Sequence, residues 1–181
     1  LPCIGTRKTF DILTDKRKFK DYCVEHGVDV IPEYTEEDIL TENVEYPIFI
    51  KPTNSRGSRG QTICYSKKEA IAGIAIAKAE SSDKGFVCEK YMGNHQDIGS
   101  AFFVVNGEPH LVKFGDRYLG REEDNLNKQV ICTKLPSDSS IMFEKYVMNR
   151  VKKMIKSLGI KFGPVFLQGF VDGNTIRYYD P

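Results

Sequence analysis

Ile48-Phe49-Ile50-Lys51-Pro52-Thr53-Asn54-Ser55-Arg56-Gly57-Ser58-Arg59-Gly60 reads as an apolar strand that ends on a lysine and runs into a loop of small, polar and cationic residues. Thr62-Ile63-Cys64-Tyr65 resumes strand character at once, so the stretch predicts a hairpin with a Gly-rich loop. Glycine lets backbone N–H groups come close to phosphate oxygens, and Lys51, Arg56 and Arg59 supply positive charge. Two readings fit this loop by itself: a cover for an anionic ligand, and an ordinary Gly/Ser hairpin turn with solvated arginines. The surrounding sequence has to separate them.

Working outward, Thr14 is expected to cap a helix running to His26, with Phe19, Tyr22 and Cys23 at helical spacing and Gly27 just past its end. Thr35 to Leu40 is acidic and reads as a loop or short helix. Pro47 opens the strand that carries Lys51. Ser66 to Glu69 fits a capping box, and an Ala/Ile-rich helix follows to Glu80. Phe86 to Glu89 is a short buried strand. Ile98–Val105 and Pro109–Phe114 flank an Asn106-Gly107 turn. Asp116 to Lys128 is the most charged stretch and reads as a loop, with a strand after it from Gln129 to Thr133. One long helix is expected from Ser139 or Ser140 to Gly159, its apolar face made by Val147, Val151, Met154, Ile155 and Leu158. Val165–Val171 and Thr175–Tyr179 form a last hairpin around Asp172-Gly173-Asn174. Helices and hairpins interleave, which predicts an α+β fold rather than a doubly wound α/β sheet.

The 181 residues suffice for one domain or one two-lobed unit with a real core, at 40% hydrophobic and 28% charged. A net charge of +1 gives no field-scale reason to expect nucleic acid or an anionic membrane. No apolar run is long enough to span a bilayer. The five cysteines are scattered, with no C-x-x-C pair, which speaks against a disulfide framework or a zinc site and for a reducing, cytoplasmic setting. Cys64 and Cys88 fall in strand-like apolar runs and are expected in the core. His26, His95 and His110 read as surface or turn residues. The start, Leu1-Pro2-Cys3, has neither an initiator methionine nor signal-peptide character, so the chain reads as a piece of something longer.

Four features stand in order along the chain. They are Lys51 with its loop, Glu89-Lys90-Tyr91-Met92-Gly93 at a strand end, Asp97 soon after, and Gln168 with Asp180 on the facing strands of the last hairpin. With the basic residue after an aspartate in Thr14-Asp15-Lys16, this order resembles the ATP-grasp superfamily, most closely the branch of the carbamoyl-phosphate synthase large subunit and biotin carboxylase. The resemblance runs from about Gly5 to Pro181.

It implies two α+β lobes with ATP between antiparallel sheets. Residues 28–89 would form a small lid lobe, and residues 1–27 and 93–181 a larger lobe with a metal-binding hairpin. The whole would be a core fragment lacking flanking segments. Lys51 would contact the α- and β-phosphates and Lys16 would reach them from the other lobe. Ser55, Arg56, Gly57, Ser58 and Gly60 would cover the triphosphate. Glu89, Lys90, Tyr91 and Met92 would line the adenine hinge, and Asp97 would accept from the ribose hydroxyls. Gln168 and Asp180 would hold Mg²⁺, or Mn²⁺, with the neutral Gln168 standing where the family usually has Glu. Arg117 and Arg121 are the candidates for the substrate or γ-phosphate side.

The activity implied is ATP-dependent ligation of a carboxylate to an amine through an acyl phosphate, with the pair of substrates unspecified. The alternative is a regulatory or scaffold module that binds nucleotide without ligating. A third reading, an RNA or polyanion binder using Arg56 and Arg59, is disfavoured by the balanced charge.

Overall fold

The computed structural model describes residues 5–54, 59–120 and 130–181. The elements in chain order are α1 (Arg7–Thr14), α2 (Lys16–Glu25), α3 (Glu36–Leu40), β1 (Ile48–Pro52), β2 (Thr62–Cys64), α4 (Lys67–Glu80) and β3 (Phe86–Lys90). After them come β4 (Asp97–Val105), β5 (Glu108–Leu119), β6 (Val130–Lys134), α5 (Ser140–Tyr146), α6 (Met148–Ser157), β7 (Phe162–Asp172) and β8 (Thr175–Asp180). Every strand pairing is antiparallel, as expected of an α+β chain.

The chain divides into two units. One comprises Leu1–Thr14, Lys18–Val30 and Asn94–Pro181, and the other Asp15–Arg17 and Ile31–Gly93. The larger unit has a five-stranded sheet in the order β6-β5-β4-β7-β8. Along β4, Ile98, Phe102 and Val104 are buried in one core with Phe114, Val165, Leu167, Ile176 and Tyr178. α1, α2, α5 and α6 supply Ile12, Phe19, Cys23, Phe143, Val151, Met154 and Ile155 to that core. Because side chains alternate across a strand, Asp97, Gly99 and Ala101 stand on the opposite sheet face.

The smaller unit has a three-stranded sheet, β2-β1-β3. Ile48, Ile50, Cys64 and Cys88 pack there against Ala70, Ile74 and Ala77 of α4, so both strand cysteines are core residues as expected. The same alternation leaves Lys51 and Glu89 on the other face of this sheet.

Several local expectations are met. Ser66 caps α4 through Glu69 N–H (3.3 Å), although the Glu69 carboxylate answers to Tyr65 N–H (2.9 Å) and not to the cap residue itself. Thr35 closes a full capping box with Asp38, which resolves 35–40 as a helix. Asn106 and Gly107 both have positive φ in the β4–β5 turn. Residues Val147, Val151, Met154, Ile155 and Leu158 are all buried.

Three expectations are corrected and one helix is new. Asp15, not Thr14, starts the helix of 16–25, accepting from Arg17 N–H at 3.0 Å, while the Thr14 hydroxyl donates to Phe10 O at the end of α1. α1 itself was not foreseen; it opens on a reciprocal Thr6–Thr9 exchange of side-chain and backbone bonds at 3.2 Å. The long helix from 139 to 159 is two, α5 and α6, which meet at the buried Val147 (φ −117°, ψ −46°). Asp116 to Leu119 are strand, not loop, since β5 continues through them against β6, with Asp116 paired to β4 as well.

The unit boundary also differs from 28. Tyr178 N–H donates to Asp29 O at 2.9 Å and Val30 bridges Tyr178, while Val28 packs in the core of the larger unit. No helix among the described residues is long and apolar enough to cross a membrane.

Candidate functional site

In the smaller unit the expected residues converge on one ion pair. β1 and β3 put Lys51 opposite Val87 and Glu89 opposite Phe49, so the two charged residues are diagonal neighbours on one sheet face. Lys51 Nζ lies 2.8 Å from Glu89 Oε2, and the two side chains are only 3% and 1% exposed. A lysine at the end of a buried strand needs a partner for its charge. Glu89 is that partner, and the two roles assigned separately, phosphate for Lys51 and adenine for Glu89, are joined in a single contact. An ammonium has three donors, so one carboxylate does not exhaust it.

The hinge is similarly particular. Lys90 N–H donates to Pro32 O (3.0 Å) and Tyr91 N–H to Pro47 O (3.3 Å), so neither is an open hinge donor. Lys90 Nζ pairs with Glu45 at 3.1 Å. Met92 is buried, and among the described residues its N–H carries no such bond. Lys16, expected to reach over from the larger lobe, groups with the smaller unit instead, its N–H donating to Thr53 O at 3.4 Å. Ser55, Arg56, Gly57 and Ser58 lie outside the described residues. Gly60 has φ +71°, and a Cβ there would lie 2.9 Å from both Pro52 and Glu80, so its glycine answers a local steric need.

The base of this loop is held by a cluster that sequence reading missed. Thr53 Oγ1 and Ser81 Oγ both donate to Asp83 Oδ1, at 2.6 and 2.5 Å, and Gly85 N–H adds a third bond at 2.8 Å. Those donors, Ser81 foremost, hold the Asp83 carboxyl down at about 2. Asn54 Oδ1 accepts from Ser81 and from Ser82 N–H, both at 3.0 Å. The residue types were visible as turn formers, but nothing in a single sequence pairs positions so far apart.

In the larger unit, four side chains from four strands meet on the sheet face away from the helices. Arg117 Nη1 donates to Asp97 Oδ1 (3.1 Å), Gln168 Oε1 (2.5 Å) and the Tyr179 hydroxyl oxygen (3.2 Å). Tyr179 in turn donates to Asp97 Oδ2 at 3.2 Å. Asp97, expected at a ribose, therefore has both oxygens engaged within the protein. Burial pushes its carboxyl up to about 6 against the opposing pull of Arg117. Burial likewise raises the Tyr179 phenol, keeping it a neutral donor.

Arg117, expected in a loop, is a strand residue with a side chain 12% exposed. Arg121 lies outside the described residues. Tyr179 was not foreseen; it occupies the irregularity between Gln168↔Asp180 and Gly169↔Tyr178, which strand alternation does not anticipate.

Gln168 and Asp180 face each other in register across β7 and β8. Among the described residues no three His, Cys, Asp or Glu side chains gather to hold a metal by themselves. The pair offers oxygen donors only, one neutral and one a carboxylate. That suits a hard ion such as Mg²⁺ or Mn²⁺, which takes one or two protein oxygens and completes its shell with water and phosphate. Asp180 brings a full negative charge to a cation, whereas Gln168 brings only a neutral oxygen that it shares with a guanidinium.

Comparison with known proteins gives consistent relatives. Residues 14–106 match the family described as carbamoyl-phosphate synthase L chain, ATP binding domain. A D-alanine–D-alanine ligase from Prochlorococcus marinus (strain NATL2A) is 29% identical over 117 residues, 64% of this chain and 32% of that protein. Among solved structures, the biotin carboxylase β-γ-ATP complex from Campylobacter jejuni has a TM-score of 0.83 at 20% identity, over 98% of this chain and 42% of that one. The biotin carboxylase domain of Hydrogenobacter thermophilus 2-oxoglutarate carboxylase, with MgADP, ADP and bicarbonate, has a TM-score of 0.80 at 19% identity, over 96% and 40%. The chain thus spans about a third of its curated relative and two-fifths of these biotin carboxylase chains.

Proposed function

The chain belongs to the family of carbamoyl-phosphate synthase L chain ATP-binding domains and has the ATP-grasp fold, and from that premise we propose that it is the nucleotide-binding core of an ATP-dependent ligase joining a carboxylate to an amine. The observation that carries the proposal is the family match over residues 14–106, which contains Lys16, Lys51, Glu89 and Asp97. Support comes from the relatives, among them a D-alanine–D-alanine ligase and a biotin carboxylase domain solved with MgADP.

In this reading Lys51 serves a phosphate oxygen while remaining paired with Glu89, and Met92 N–H serves the adenine edge. Asp180 holds Mg²⁺, with Gln168 as a neutral second donor. The metal supplies charge neutralisation to the phosphates. The chain's own contribution is to bind, orient and exclude water rather than to act as a nucleophile. The carboxylate would be phosphorylated to an acyl phosphate before the amine attacks; a carbamoyl-phosphate synthase-like choice of substrates is the finer form of the proposal. A cytoplasmic location accords with core thiols such as Cys23, whose burial pushes it up to about 12 and keeps it unreactive.

A second reading, a nucleotide-binding regulatory module without ligase activity, is favoured by Gln168, because its amide oxygen brings no charge and is already bonded to Arg117. A thermal melt with ATP, with and without Mg²⁺, separates the two. A ligase core needs the ion for a large shift, whereas a regulatory binder responds without it. A screen of carboxylate and amine pairs for ADP release, on the protein carrying its natural flanking sequence, then tests turnover. If no pair raises release above background, the ligase reading fails.

A further inference from the structure

The middle of α4, from Ala70 to Ala77, is alanine, isoleucine and glycine throughout, so it is apolar on every side. A helix of that kind is ordinarily buried all round. Here only one side is. Ala70, Ile74 and Ala77 pack on the three-stranded sheet, and a Cβ at Gly73 would meet Cys64 Sγ at 3.1 Å. On the other side Ile71 and Ile76 are each 49% exposed, and Ala72, Ala75 and Ala79 are exposed with them.

The charges of α4 say what fits this face. Lys67 reaches Leu40 O and Glu42, Glu69 accepts from Tyr65 N–H, and Lys78 pairs with Glu36, all within the smaller unit. Lys68 and Glu80 are exposed and, among the described residues, make no ion pair. The outer face therefore has a cation at its start, a carboxylate at its end and apolar side chains between them. Such a surface complements itself turned end for end. A twofold axis passing between Gly73 and Ile74 sets Ile71 level with the partner's Ile76 and Ala72 level with the partner's Ala75. It leaves Lys68 and the partner's Glu80 about 1.5 Å apart along the helix axis, and this pairing occurs twice. The alanines at the centre let the two helices approach closely.

We propose that the outer face of α4 docks against the same face of a second copy of this chain, with the two helices antiparallel. One helix against its copy is a contact at the small end of specific interfaces, so the dimer is weak, half associated at roughly 100 μM. A Cβ on Gly60 would lie 2.9 Å from Glu80 Cβ, so each Lys68–Glu80 pair stands at the base of one copy's Gly-rich loop. The proposal does not rest on the ligase reading.

Sedimentation velocity on the chain from about 10 μM to about 1 mM tests it. The chain is expected to run as a monomer at the low end and to move toward twice the mass at the high end. Ile71→Asp/Ile76→Asp changes only solvent-side positions, so its melt should match the wild type while self-association disappears. The register is tested by charge. Lys68→Glu and Glu80→Lys each set like charges together twice and should weaken dimerisation about fivefold. The combined variant Lys68→Glu/Glu80→Lys restores opposite charges and should return the wild-type constant. A chain that stays monomeric throughout overturns the proposal, as does an Ile71→Asp/Ile76→Asp variant that dimerises like the wild type. A combined charge variant no tighter than the single ones overturns it as well, because a merely adhesive surface has no register.

Discussion

The three-stranded sheet buries one ammonium against one carboxylate, while the five-stranded sheet buries one guanidinium against a carboxylate, an amide and a phenol. The first arrangement centres on two full charges, Lys51 and Glu89, 2.8 Å apart with almost no access to water, so removing either unbalances the other. The second is distributed. Asp97 keeps Tyr179 if Arg117 is lost, and a carboxyl pushed up to about 6 lies close to accepting a proton. The contrast shows how the partners' chemistry sets the consequence of burial: a pair of full charges is all or nothing, whereas neutral hydrogen-bonding members let a cluster give way in steps.

The sharpest way to break this comparison is to remove single charges from each cluster. Lys51→Met or Glu89→Leu should each cost about 3–5 kcal/mol in urea denaturation. The double variant should recover most of that loss, because an apolar pair strands no charge. Arg117→Met should cost less, about 1–3 kcal/mol, and should carry the Asp97 carboxyl above about 6, read by carboxyl ¹³C NMR, since Arg117 is the main influence lowering it. Equal losses at the two sites would sink the distinction.

Gly99→Ala sharpens the comparison from the packing side. Its Cβ would press on the Phe166 ring and on the Arg117 stem, and overpacking of this kind costs about 1–3 kcal/mol. The arginine's NMR signal should move with it; an unmoved signal would mean that Phe166 alone gives way.

The smallest effects come from pH, and two aspartates should show opposite signs. Asp97 is raised in the folded chain, so its stabilising contribution is present below about pH 4 and is lost as pH rises through about 6. Asp83 is depressed, so its contribution is present above about pH 4 and is lost as pH falls through about 2. Asp83 is exposed, which screens its share. Asp97→Asn should flatten the stability profile between pH 4 and 7 and Asp83→Asn the limb below 4, both read from denaturation curves across that range.

Local signals carried far in this chain. The Ser66 and Thr35 caps, the Asn106-Gly107 turn and the apolar spacing of residues 147 to 158 each rest on contacts within a few residues, and each appears in the structure. Errors arose where a longer-range contact outweighed a local preference. Asp116 to Leu119 look like loop by charge, yet β6 pairs with all four and β4 with Asp116 as well. Asp29 and Val30 fall in the stretch expected to open the smaller lobe, yet β8 holds them.

The order of Lys16, Lys51, Glu89, Asp97, Gln168 and Asp180 along the chain carries the resemblance to the family, and the family match over residues 14–106 agrees with it. Which charge answers which could not be read there. Lys51 with Glu89 and Arg117 with Asp97, Gln168 and Tyr179 are pairings across strands, and a strand's own sequence carries its alternation but not its neighbour's register or its irregularities. The residues available for chemistry were thus determined by the sequence alone, while their partners and their burial were decided only when each sheet paired its strands and water was excluded from around them.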